Sequence, residues 1–398
     1  MSIREFVFLI FIGIIAGLVL PELNLSLPLL HLFAFYVCLY LDIYIHEFGH
    51  ALAGMSVGFP IRKISIGTGK PILKTKIGQM LFIITDGLGG GLTYMGEVPR
   101  KYLKPKYMVF ILGGVLAQAI VVGLVLLYLK VTGNAIYTLN RMTLAHVFLY
   151  SNILLIIGNL IPYNANLGGM SYPSDGMQLL RTPFAQEKDI QDILATGKIL
   201  EGYELYEAKK YSEAESIFRQ CVTSFPDSLV ALINLGASLI KQMKLVDAQS
   251  VLEEAVARHP KSPYLFLLNN NLAWTFFLQL TPHSLQQADT YSIQAYQQNS
   301  ALPVVLNTRG CVLIEQGQLE EGIQLLTRFT KLRRPINDKT NPAAGFIYLA
   351  YGYFLNNDRE RSYQYLTKVE AIEQDLAPDY QVLLQHAILK TDNFGREL

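Results

Sequence analysis

Residues 46–50 read HEFGH, and they close the apolar run LFAFYVCLYLDIYI at residues 32–45. Two histidines and a glutamate are among the costlier side chains to place in lipid, so their presence at the end of such a run needs a chemical reason. On a helix His46 and His50 stand one turn apart and present their imidazoles on the same face, the spacing that lets both bind one zinc ion. Glu47, beside the first of them, can take a proton from a metal-bound water and so act as general base in attack on a peptide carbonyl. The bland alternative is a chance H-E-x-x-H in a structural helix. Burial in an apolar run counts against it, because unpaired ionisable groups there cost several kcal/mol.

The surroundings read as membrane. The 398-residue chain is 51% apolar with mean hydropathy +0.28, high for a protein that is soluble throughout. Its apolar runs fall at about residues 6–20, 25–55, 107–129 and 143–161, and the last three reach the roughly 20 residues of a spanning helix. The first is short, lacks a small-x-small cleavage site and leads straight into the next run, so it reads as a retained first span. Residues 1–186 hold 13 Lys and Arg against 7 Asp and Glu, whereas residues 187–398 hold 20 against 25. Nine of the basic residues, Arg62, Lys63, Lys70, Lys74, Lys76, Arg100, Lys101, Lys104 and Lys106, crowd the loop between the second and third runs. The opposite side offers only Lys130 and Arg141. The basic loop, both termini and the HEFGH end of the second span are thus expected to face the cytoplasm. A multi-pass protein of a bacterial-type plasma membrane is the expected setting, with the bilayer as partner and no nucleic acid.

From about residue 195 the pattern changes to amphipathic helices of about a dozen residues with polar turns. Gly202 and Gly236, Ala214 and Ala248, and Pro226 and Pro260 are each separated by 34 residues. A small residue early in one helix, an alanine where two helices meet and a proline at the closing turn resemble the tetratricopeptide pattern, in which neighbouring repeats bury a shared core. Looser copies follow around Ala273, Ala288 and Ala295, around Gly310 and Pro335, and around Ala350 and Pro378, with a short insertion near TPHS at 281–284 in the third. Five repeats are expected, within a second domain at 187–398 that follows a membrane domain at 1–186. Such an array usually offers a concave surface to a peptide or protein; a rigid spacer or dimer module is the alternative reading.

A catalytic zinc site uses three protein ligands and keeps a position for water. The third should be another acid or histidine at similar depth. Asp175, in GNLIPYNANLGGMSYPSDGMQLL at 158–180, is one candidate, and His146, near the opposite end of the same run, is its competitor.

HEFGHALAGMSVGFPIRKISIGTGKP at 46–71, GGVLAQ at 113–118, NLIP at 159–162 and SDG at 174–176 together resemble the site-2 protease family of intramembrane zinc metalloproteases, over about residues 30–181. The resemblance implies His46, His50 and Asp175 as zinc ligands, Glu47 as base and Asn159 as a polar residue near the substrate carbonyl. It implies a mostly α, polytopic core cutting a transmembrane or membrane-embedded peptide near the cytoplasmic face, with one Zn2+ per chain. Two departures bear on Asp175: Ser174 precedes it where the family usually has leucine, and twelve residues, 163–174, separate it from the N-x-x-P proline instead of a few. No segment resembles a PDZ domain, so the repeat array is expected to select the substrate. The rival reading is a membrane-anchored tetratricopeptide scaffold with a non-catalytic front half.

Lesser features fill in the picture. Asp42, one turn before His46, is placed to orient a ligand or line a water path, with a packing or snorkelling acid as the alternative. IRKISIG, PILKTKIG, QMLFIITDG and GLTYMGEV within residues 60–98 alternate like short strands between glycine turns. The family resemblance implies a membrane-associated sheet whose edge aligns an unwound substrate. GLGGG at 87–91 reads as a turn, since no Lys-Ser/Thr follows as in a phosphate loop. GGVLAQ supplies small residues for close helix packing, and Gln118 is placed to line the active-site cavity. Cys38, Cys221 and Cys311 lie too far apart in sequence to suggest a disulfide framework or thiolate site.

Overall fold

The computed structural model describes residues 26–136, 142–167, 170–332 and 342–391. The first expected span, 6–20, and Pro335 lie outside them. The described residues divide into two compact units, one within Met1–Ala165 and Ser171–Glu187, the other within Asn166–Met170 and Lys188–Leu398.

The first unit is built on three apolar helices, α1 (Ser26–Ser56), α2 (Leu103–Val131) and α3 (Leu144–Leu160), which pack on one another. Leu32, Leu41, Leu52, Ile120, Leu124, Leu127, Leu154 and Ile157 face outward from them. Large side chains exposed in rows on otherwise apolar helices suit lipid rather than water. Among the described residues, His31–Ser56 and Leu103–Val131 are long and apolar enough to cross a membrane, whereas α3, within the fourth expected run, is shorter at 17 residues. What brings α1 and α2 together is visible in the GGVLAQ stretch: a Cβ on Gly113 would sit 2.4 Å from both the Gly49 carbonyl oxygen and the Ala53 Cβ. Without side chains there, the two backbones approach closely.

Between α1 and α2 lie two long strands, β1 (Ile61–Ile77) and β2 (Met80–Met95). Their register resolves into four segments. Residues 61–66 pair on one side with 91–95, as in Ile64–Thr93 and Ile66–Gly91, and on the other with 81–84, as in Ile64–Phe82 and Ile66–Ile84. Residues 73–77 pair with 80–84 beyond the Gly78 turn. The result is a small mixed sheet, with 91–95 on its outside, paired along one side only among the described residues. Two further short strands, β3 (Asn164–Leu167) and β4 (Met170–Pro173), lead into the short helix α4 (Asp175–Arg181).

The second unit is a run of helix pairs: α5 (Glu187–Glu207) with α6 (Tyr211–Ser224), α7 (Leu229–Lys241) with α8 (Leu245–Arg258), α9 (Leu265–Phe277) with α10 (Pro282–Gln298), α11 (Pro303–Glu315) with α12 (Leu319–Lys331), and α13 (Ala343–Leu355) with α14 (Arg359–Glu370). A final helix, α15 (Pro378–Lys390), follows. The recurring glycines are explained by what they face. A Cβ at Gly202 would meet Phe218 at 2.5 Å, one at Gly236 would meet Leu252 at 2.6 Å and one at Gly310 would meet Leu326 at 2.7 Å. In each case the partner stands sixteen residues on, in the second helix of the same pair. Ala214, Ala248 and Ala288 are wholly buried at the same joint. Successive pairs stack so that the core runs on from one to the next, from Ala214 through Leu272 to Leu383.

Candidate metal centre

His46, Glu47 and His50 lie in the second half of α1, and all three are buried. The helix rise puts the two imidazoles face to edge, with ring centroids 4.5 Å apart and their Nε2 atoms 3.0 Å apart. Asp175, the first residue of α4, reaches the same point: its Oδ2 is 2.9 Å from His46 Nε2 and 3.3 Å from His50 Nε2. One ligand atom from each of the three lies within 4.8 Å of the others.

Asp175 is placed by its neighbours. Ser174, where the family usually carries leucine, is the N-cap of α4, its hydroxyl accepting from the Met177 N–H and donating to the Ile161 carbonyl at 2.7 Å. The long spacer after Pro162 is taken up by β3 and β4, which return the chain to the end of α3. Gly176 is then forced by space: a Cβ there would come 2.0 Å from the Leu160 carbonyl oxygen.

The remaining ring nitrogens are held from α2 and α3. His50 Nδ1 donates to the Phe110 carbonyl at 2.8 Å. His46 Nδ1 is 3.0 Å from Gln118 Oε1 and 3.3 Å from the Asn159 amide nitrogen. A ring that gives its Nδ1 proton to an oxygen keeps Nε2 as a lone-pair donor, and in both histidines that nitrogen faces Asp175. Gln118 is fully buried. Asn159 thus lies against His46 itself.

Glu47 is positioned by a residue that sequence reasoning passed over. Thr93, in the outer segment of the sheet, donates to Glu47 Oε2 at 2.6 Å and also lies 3.1 Å from the Glu47 carbonyl oxygen. Gly91, two residues earlier, leaves room for the carboxylate, since a Cβ there would stand 2.4 Å from Glu47 Cγ. The available signal was indirect: a buried glutamate requires a donor, and nothing in the sequence singles out Thr93 among the hydroxyls that follow Glu47.

Two other candidates lie elsewhere. Asp42 is fully buried; its carboxylate accepts from Asn152 on α3 at 2.6 Å, and among the described residues it contacts neither histidine of the cluster. The reason is lateral: Asn152 of α3 lies beside Asp42 and supplies the donor. His146 caps α3. Its Nδ1 meets Thr143 Oγ1 at 2.8 Å and its Nε2 meets the Ala135 carbonyl at 2.7 Å, which uses both nitrogens away from the cluster.

The model of peptidase family M50 matches residues 34–283, well over half of the chain. The chain belongs to this family. Its members are membrane-embedded zinc metalloproteases of the site-2 type, which accords with the resemblance carried by HEFGH and SDG. No curated protein matches the chain. Among solved structures, a thermophilic TPR protein of Thermus thermophilus is similar at 18% identity, over 49% of this chain and 99% of that one, with a TM-score of 0.37. YrrB, described as a TPR protein with an unusual peptide-binding site, is similar at 18% identity over 50% of this chain and 94% of that one, with a TM-score of 0.30. The back half is a tetratricopeptide-like array, and the glycine-to-partner spacing described above is its structural basis in this chain.

Proposed function

We propose that the chain is an intramembrane zinc endopeptidase that cuts a transmembrane or membrane-embedded peptide near the cytoplasmic face. The observation that carries this reading is the convergence of His46 Nε2, His50 Nε2 and Asp175 Oδ2 beside a buried Glu47. Two imidazoles and one carboxylate are a donor set suited to catalytic zinc, and their mutual distances fit one ion. Zinc held by these three would lower the pKa of a water in the remaining position and polarise the scissile carbonyl.

Glu47 then serves as general base, taking the water proton and passing it to the leaving amine. Thr93 fixes which carboxylate oxygen is left to do this, because the other already accepts its hydroxyl. Gln118 and Phe110 hold the two imidazoles in the tautomer that ligates through Nε2. Asn159, whose amide nitrogen lies 3.3 Å from His46 Nδ1, would offer its amide to the substrate carbonyl. The outer segment 91–95 has a side that no other strand pairs among the described residues, and it carries Thr93. An unwound substrate added there would run past Glu47 as a further strand. Peptide bonds within an intact helix are shielded by their own hydrogen bonds, so such unwinding is a chemical need.

The repeat array, in this reading, faces the cytoplasm and recruits the substrate or a regulatory partner. The fourth and first apolar runs complete a multi-pass topology with both termini inside, which cysteine labelling in intact cells tests. A bare scaffold has no use for a base held by Thr93, which sets that reading behind the enzyme. Metal analysis of the purified protein is the deciding experiment: about one zinc per chain, lost in His46→Ala and Asp175→Ala and kept in His146→Ala. Equal zinc in all four proteins would overturn the proposal.

A further inference from the structure

In a solenoid each repeat contacts its neighbours and little else. Helix α15 departs from that rule. Asp379, in its first turn, is wholly buried and lies 2.8 Å from Lys241 Nζ on α7, 138 residues back in sequence. The Trp274 indole on α9 donates to the same carboxylate oxygen at 3.4 Å. Tyr380 lies beneath the Lys241 ammonium, 3.8 Å from Nζ to ring centroid, and edge-on to Trp274. Farther along, His386 meets Glu315 of α11 at 2.8 Å and packs against Tyr351 of α13. The last helix therefore touches the first helices of four successive pairs.

Those first helices form the inside of the curve. α7, α9, α11 and α13 touch one another in succession, and the second helices make no comparable contact, so the former line the concave side. Helix α15 lies along it as a bound peptide would. Its inward side carries Asp379, Leu383, Leu384 and Ala387, all buried, while Gln381 and Gln385 are exposed. Burial by itself would lower the pKa of Lys241, yet the oxygens of Tyr380, Asp379 and Tyr206 around it hold the ammonium well above its usual value. The pair is thus a charged lock flanked by the rings of Trp274 and Tyr380.

We infer that the concave face of the array is a helix-binding groove occupied by the chain's own α15, and that its partner is a helical peptide whose first turn presents an aspartate followed by an aromatic residue. Such a peptide competes with Pro378–Tyr380 for Lys241 and Trp274. The claim concerns the array alone and is read by binding, so it stands or falls separately from the zinc chemistry.

The test uses full-length protein in detergent and a fluorescent synthetic peptide of residues 374–391. A groove open a tenth of the time binds about tenfold more weakly than an open one. Asp379→Lys in the protein, which repels α15 from Lys241, should therefore strengthen peptide binding by about tenfold or more over wild type. Deleting residues 377–398 should do the same. Adding Lys241→Glu to the deletion should abolish binding, as should Asn and Ala at the Asp379 and Tyr380 positions of the peptide. No gain in either opened protein, or binding indifferent to those changes, would overturn the inference. Hydrogen exchange on the unaltered protein gives an independent reading. Amides of α15 should exchange through an opening that leaves α13 and α14 protected; exchange only with loss of the whole array would mark α15 as a fixed core helix and overturn it equally.

Discussion

In the repeat array, Lys241 meets Asp379 at 2.8 Å and Arg309 meets Asp289, so each of these acids has a basic side chain against it. In the helical unit, His46, His50 and Asp175 converge within 4.8 Å, and among the described residues no lysine or arginine pairs with Asp175. Both regions bury charge, at the cost that removal from water imposes. The array balances it with fixed side chains and gains a unique arrangement. The helical unit leaves three lone-pair donors pointing at one spot, which a divalent cation would balance. The lesson is that buried charge alone does not mark an active site; several donors converging on one point without a cation of their own do.

The largest effect should come from the base. Glu47→Gln keeps the shape of the site and the hydrogen bond that Thr93 donates, but removes proton transfer, for a loss of about 10²–10⁴-fold in kcat. Zinc content should be unchanged. Wild-type turnover by this variant would erase the functional half of the contrast.

On the array side, Lys241→Met strands the Asp379 carboxylate without its cation and should release α15 from the groove, at a cost to array stability no greater than the about 1.4 kcal/mol that a tenfold preference for the closed groove represents. The double change Lys241→Met with Asp379→Leu should recover most of that, because two apolar residues leave no charge to satisfy. Denaturant titration of the single and double variants measures it. The same logic fails at the metal centre, where His50→Leu with Asp175→Leu can restore packing but never zinc, so zinc content separates the two kinds of buried charge.

Thr93→Ala should lower kcat by about 10-fold with KM little changed, since it frees the carboxylate to turn without removing it. Thr93→Ser should restore the rate because it restores the hydroxyl. An alanine variant that loses rate through unfolding would not be rescued by so small a change in one atom group.

How legible each region was follows from the distance between cause and pattern. His46 and His50 share a helix face, so their partnership shows in a five-residue stretch. The 34-residue spacing of Gly202 and Gly236 shows because each glycine faces a bulky partner in its own repeat. Asp175 was harder: Ser174 and the spacer filled by β3 and β4 obscure the motif, and only the three-dimensional return of the chain joins it to His46. Thr93, Asn152 and the placement of α15 were not legible at all. Their partners Glu47, Asp42 and Lys241 lie 46, 110 and 138 residues away, on other elements, with no periodicity linking them. Four short strands were expected in residues 60–98. The register shows four such segments, 61–66, 73–77, 80–84 and 91–95, carried by two long bent strands, with residues 61–66 pairing on both sides at once.

The smallest effect expected is also on the array, and it probes an acid held there by a hydroxyl instead of a basic side chain. Asp192 of α5 is half-buried and accepts from the Ser228 hydroxyl at 2.7 Å, and Ser228 in turn caps α7 by accepting from the Ala231 N–H. Burial pushes the Asp192 carboxyl up to about 6; the hydrogen bonds from Ser228 and Val230 oppose this without cancelling it, and nearby Asp189 adds to it. A carboxyl whose folded pKa is raised binds its proton more readily in the folded state, so stability falls as pH rises from about 4 to 6 and the penalty stays above that window. Asp192→Asn removes the charge and keeps an acceptor for Ser228. It should raise the melting temperature of the array by up to a few degrees at about pH 7 and make no difference near about pH 4. Thermal melts of both proteins at the two pH values decide it. An asparagine variant less stable near neutral pH would mean that the charged cap contact outweighs burial, and the array would then hold an ionised acid with only hydroxyl and amide partners.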